Sequence, residues 1–148
     1  MSHQRYKLKQ TYIGHLKRGT DLLNGITDYI VKHKIQTGEI RGLGAVSKAV
    51  VWYFNQNTKE YEEITFDEHL EILSLYGNIS IRNYEPFAHV HVMLGNNKGE
   101  AFGGHLATGS IVFAAEMIIH EFDGEKIVRE RDPETGLYLW DYRQELLA

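Results

Sequence analysis

The stretch Pro86 to Leu106, PFAHVHVMLGNNKGEAFGGHL, constrains the fold more than any other part of the chain. Ala88, Val90, Val92 and Leu94 alternate with Phe87, His89, His91 and Met93. That period of two sets successive side chains on opposite faces of a β-strand. Asn96-Asn97-Lys98-Gly99 follows, a turn signal because Asn and Gly tolerate positive φ. A reversal centred near Asn97 or Lys98 sets His91 opposite Gly104 or His105. Cross-strand neighbours have Cβ atoms about 5 Å apart, so His89, His91 and His105 are expected to converge.

The remaining segments extend the same β-rich pattern. Tyr6 to Leu16 alternates weakly and reads as a first strand, broken by Lys17-Arg18-Gly19. Thr20 and Asp21 are N-cap residues, and Leu22, Leu23, Ile26, Tyr29 and Ile30 follow at helical spacing. A helix over 20–33 is predicted. The glycine-rich segment Gly38 to Gly44 precedes a strand over 45–54 and suggests a bend or bulge. Asn55 to Thr58 reads as a hairpin turn into a return strand over 61–66. Leu70 to Tyr76 and Ile79 to Arg82 read as two strands separated by Gly77-Asn78. In Ser110 to His120 the odd positions Ile111, Phe113, Ala115, Met117 and Ile119 form an expected core face. A last strand is expected over 137–142. The sum is an α+β fold: a mostly antiparallel sheet of about seven strands with one principal helix.

Composition narrows the function classes. The 148 residues fit one domain, expected over 1–148, with 43% hydrophobic and 24% charged residues. There are no cysteines, which removes disulfides, thiolate metal sites and cysteine nucleophiles. A net charge of −4 argues against a strongly basic nucleic-acid surface. The opening MSHQRYKLKQ has no apolar core like that of a secretory signal. No apolar run approaches the roughly 20 residues that span a bilayer, so a cytoplasmic location is expected.

His-x-His on a strand places both rings on one face, roughly 6.5 to 7 Å apart at Cα. That spacing suits Zn²⁺, which takes three His ligands and keeps an open position in catalytic sites. The other reading makes His89 and His91 partly buried polar residues at a subunit contact. Glu116, in the middle of an apolar strand, needs a partner if it is buried. It is a candidate general acid/base or an outer partner of a ligand imidazole, or else it pairs with Arg41, Arg82 or Arg129. Glu71 poses the same question. Gly38 to Gly44 matches neither nucleotide fingerprint. Lys7, Lys9, Lys17 and Arg18 form only a thin basic scatter, with no minor-groove hook and no helix-turn-helix.

Taken in order, Glu71-Ile72-Leu73-Ser74-Leu75-Tyr76-Gly77-Asn78-Ile79-Ser80, Pro86-Phe87-Ala88-His89-Val90-His91, Gly103-Gly104-His105-Leu106 and Ala115-Glu116 resemble the PPC (plant and prokaryote conserved, DUF296) domain. The resemblance covers nearly the whole chain. It implies an antiparallel sheet with one principal helix, assembly as a homotrimer, and a DNA-binding or regulatory role. In plants the domain follows AT-hooks, and the present sequence lacks that motif. The plant partner-contact motif Phe-Glu-Ile-Leu is matched by Leu70-Glu71-Ile72-Leu73 except at its first position. The fold is also similar to that of acetolactate decarboxylase, a zinc enzyme with a His-x-His pair and a later His. His89, His91 and His105 fit that pattern with a longer gap before the third. The resemblances imply a divalent metal, zinc above others, at these three residues. They also leave an alternative: a lyase or hydrolase-like metal enzyme for a small oxygen-rich substrate, with Glu116 or Glu71 moving a proton.

Overall fold

The structure is a computed structural model that describes residues 4–141. Its elements run β1 (Lys7–Leu16), α1 (Leu22–Lys32), β2 (Gly38–Asn55), β3 (Glu60–Phe66) and β4 (Leu70–Arg82). They continue with β5 (Glu85–Gly95), β6 (Ala101–Leu106), β7 (Ile111–Asp123), β8 (Arg129–Arg131) and β9 (Tyr138–Trp140). Seven strands form one sheet in the order β1-β7-β2-β4-β5-β6, with β3 paired to β2. Every pairing in it is antiparallel, as the α+β expectation required.

Strand β2 organises this sheet. Its first half lies between β4 and β7, and its second half turns to pair with β3. Val51 and Trp52 then meet Leu106 and His105 of β6, which closes β2, β4, β5 and β6 into a ring. The expected glycine-rich bend is therefore the first third of a long strand, with a bulge between Gly42 and Gly44. Gly44 has φ +147, and a Cβ there would stand 2.1 Å from the Ala114 carbonyl oxygen. Only glycine fits so close an approach.

Helix α1 starts where its cap demands. The Asp21 carboxylate accepts a hydrogen bond from the Asn24 amide at 2.9 Å. Leu22, Ile26 and Ile30 are buried on one stripe, within the core that includes Ile40, Val51, Ile79, Val90 and Leu106. Burying each such side chain stabilises the fold by about 1.5–3 kcal/mol before its entropy cost.

Two other expectations need correcting. Gly77-Asn78 does not divide two strands, because β4 runs unbroken through it. Gly77 pairs with Ile40 on one side and Val90 on the other, and its missing Cβ admits the His89 carbonyl. In β7 the core face holds at Ala115, Met117 and Ile119 but fails at Phe113, which is 47% exposed. Register shifts near Val46 bring Val112 inward instead, and Phe113 lies under the Arg18 guanidinium at 4.4 Å. The last strand is β9; Tyr142 lies outside the described residues. No helix among those residues is long and apolar enough to cross a membrane.

Candidate metal centre

The alternation read from the sequence orients β5. Ala88, Val90, Val92 and Leu94 are buried, while Met93 is 53% exposed and His91 meets solvent. The turn at 96–99 is held by the Asn96 side chain, which accepts from the Lys98 and Glu100 amides at 3.0 Å each. With that reversal His91 pairs directly with His105. Gly103 allows it: a Cβ there would lie 2.0 Å from the Val92 carbonyl oxygen.

The three imidazoles form a nearly equilateral triangle, with ring centroids 5.0, 5.1 and 5.3 Å apart. One nitrogen from each lies within 4.8 Å of the others. The Nε2 atoms of His89 and His91 are 3.2 Å apart. Two ligands bound tetrahedrally at 2.0–2.1 Å would stand about 3.3 Å apart, so this pair fits a zinc-sized ion. Trp52, the cross-strand partner of His105, stacks beside its ring at 6.1 Å and 14°.

Electrostatics keep these rings neutral. Burial, then the Arg129 cation and the other two imidazoles, pushes His89 down to about 3. Burial, then His91 and Arg129, pushes His105 down to about 4. Partial burial lowers His91 as well. Near pH 7 the three rings are therefore neutral, the charge state in which an imidazole ligates a metal.

The two carboxylates singled out in the sequence are not drawn to the triangle. Glu116 is exposed on β7, opposite His15 and Leu43, and so needs no buried partner. Glu71 is exposed on β4, opposite Gly95. A residue that the sequence reading passed over stands in a closer row. Cross-strand pairing runs from His120 through Glu39 and Asn78 to His89. Glu39 accepts from His120 Nδ1 at 2.9 Å, Arg41 at 3.0 Å and the Tyr76 hydroxyl at 3.2 Å. Burial pushes Glu39 up, yet these donors outweigh it and hold the carboxyl below its usual range. A parallel row, Ile118, Arg41, Tyr76, His91 and His105, joins the triangle to a groove of about 970 Å³. Arg41, Leu43, Tyr76, Glu116 and Ile118 line that groove.

Arg129, named in the sequence only as a possible partner of Glu116, proves to be a neighbour of the triangle. It is 7% exposed, and one guanidinium nitrogen lies 3.1 Å from His89 Nδ1. No local pattern marks it, because β8 lies 40 residues along the chain from His89.

Fold and site together define an α+β protein whose closed antiparallel sheet brings together three histidines of β5 and β6. The chain matches the Plants and Prokaryotes Conserved (PCC) domain over residues 3–123, and it belongs to that family. A metal-containing protein of Archaeoglobus fulgidus is 38% identical and superposes with a TM-score of 0.89, covering 95% of this chain and 99% of that one. A plant- and prokaryote-conserved protein of Pyrococcus horikoshii is 39% identical with the same TM-score, covering 95% and 97%. A candidate DNA-binding protein of Bacteroides thetaiotaomicron is 31% identical with a TM-score of 0.84, covering 93% and 98%. The chain also aligns at 26% identity with the bifunctional protein GlmU of a Synechococcus strain, over 86% of its own length. It spans about a fifth of the length of the curated relatives it matches (20%).

Proposed function

We propose that the chain is a DNA-binding or regulatory PPC-domain homotrimer that holds a divalent metal ion, zinc, at His89, His91 and His105. The convergence of three neutral imidazoles carries the metal assignment. The metal-containing relative of Archaeoglobus fulgidus supports it. The regulatory assignment is carried over from the candidate DNA-binding relative of Bacteroides thetaiotaomicron. Elemental analysis of protein purified without an affinity tag tests the centre. About one zinc per chain is expected, and protein free of divalent metal at neutral pH would sink the assignment. Light scattering on the same sample tests the trimer. Retention of an A·T-rich duplex near physiological salt tests the DNA role, whereas loss on modest salt addition would mark contact with phosphate alone.

The exposure of His91 favours a second reading, a lyase or hydrolase-like enzyme acting on a small oxygen-rich substrate. Three histidine ligands would leave a bound divalent ion a further position for substrate or water. A bound divalent ion would supply Lewis acidity there. Glu116, on the wall of the groove beside Tyr76, or Glu71 would hold or move the proton, and Glu39 is a third carboxylate for that role.

A further inference from the structure

The segment after residue 123 lies beyond the family match, yet it reaches the histidine triangle. Strands β8 and β9 form a small separate sheet docked on the end of β4. The Ile81 amide donates to the Ile127 carbonyl at 2.8 Å, and Ile81 bridges to Val128. This docking delivers Arg129 in a fixed pose. Its Nε donates to Ser80 Oγ at 2.8 Å, Nη1 to the Tyr138 carbonyl at 2.9 Å, and Nη2 to Asn78 Oδ1 at 2.8 Å. Phe87 and Trp140 flank the guanidinium at 5.5 and 6.0 Å. The same Nη2 faces His89 Nδ1 at 3.1 Å.

A guanidinium donates and never accepts. His89 Nδ1 must therefore present its lone pair to Arg129, and a neutral ring must then carry its proton on Nε2. That proton has an acceptor, since His91 Nε2 lies 3.2 Å away. His91 would then carry its own proton on Nδ1. The chain Arg129 to His89 to His91 is a consistent hydrogen-bond relay. Metal-ligating histidines are ordinarily arranged the other way round, with the outer ring N–H donated to a carboxylate or carbonyl.

Resting on the metal reading above, we infer that Arg129 is a positioning residue that locks His89 in the tautomer that cannot ligate through Nε2. Metal uptake then requires His89 to part from Arg129, which couples occupancy of the site to the β8–β9 hairpin. The coupling needs no net proton exchange, because His89 moves its proton from Nε2 to Nδ1.

Two-bond ¹H–¹⁵N spectra of metal-free, histidine-labelled wild-type protein at pH 7 test the lock without any substitution. His89 is expected as the Nε2–H form and His91 as the Nδ1–H form. Finding His89 as the Nδ1–H form or as imidazolium would overturn the inference. Competition with a chromophoric zinc chelator tests the coupling. Arg129→Gln, whose amide oxygen can accept from Nδ1–H, is expected to bind zinc on the order of 10-fold more tightly than wild type. Equal or weaker binding by a variant with unchanged circular dichroism would overturn the coupling. Wild type that takes up no zinc sinks the metal reading, while the tautomer spectra still decide what Arg129 does to His89.

Discussion

Two histidine environments share one cross-strand row, His120, Glu39, Asn78 and His89, and they differ in what faces the imidazole. At one end His120 meets the Glu39 carboxylate at 2.9 Å. At the other His89 meets a guanidinium and two further imidazoles. An anion beside an imidazole favours its charged form, whereas cations and burial favour the neutral one. The first arrangement ties the ring to a carboxylate, and the second surrounds it with a guanidinium and two other imidazoles. Both ends carry a histidine, and what differs is the sign of the neighbouring charge.

Removing a ring from each end should break that comparison most sharply. His91→Ala or His105→Ala is expected to lower zinc from about one ion per chain to near zero, read by elemental analysis after dialysis, while His120→Ala retains it. Equal losses from all three would erase the distinction.

A backbone test is expected to come next in size. Gly103→Ala pushes a methyl into the Val92 carbonyl, so the hairpin that carries His105 must shift. The expected loss is about 1–3 kcal/mol in denaturant melts. Gly14→Ala, which meets nothing within 4 Å, should stay within about 0.5 kcal/mol of wild type.

Acid should act on the triangle. His89 and His105 titrate at about 3 and 4 in the folded protein, below the unfolded value of 6.5. Between those limits the unfolded chain binds more protons, so stability falls as the pH drops from 6.5 towards 4. The melting temperature of metal-free protein should decline across that window, and His89→Gln should flatten the slope. An unchanged slope would show that the rings are not held neutral.

The smallest effect belongs to the contact between Glu39 and His120. A double-mutant cycle between Glu39→Gln and His120→Gln should give a coupling of about 1 kcal/mol or less, weakening with salt. A larger, salt-independent coupling would make Glu39 more than a surface partner.

Much of this was legible in local pattern. The His91–His105 pairing follows from a period-two strand and the turn at 96–99, both local properties. Helix α1 begins at its predicted cap and buries its predicted stripe. Where the structure differs, each difference has its own physical reason. Gly77 reads as punctuation, yet it admits a neighbouring carbonyl in the middle of a strand. Phe113 reads as core because register shifts leave no trace in alternation. Glu116 drew attention by its apolar neighbours, while Glu39, the carboxylate that gathers three donors, sits among glycines and carries no pattern.

By itself, the sequence determined the period of each strand, the cap of the helix, the turn that folds β5 onto β6, and so the convergence of three imidazoles. Those depend on steric and hydrogen-bonding preferences acting over a few residues. Only the tertiary structure decided what surrounds them: Trp52 against His105, Glu39 in the row with His89, and Arg129 brought from a separate hairpin to His89 Nδ1. Those neighbours come from elements far apart in sequence. Charge and burial there set the rings' protonation, and no local window of sequence contains that information.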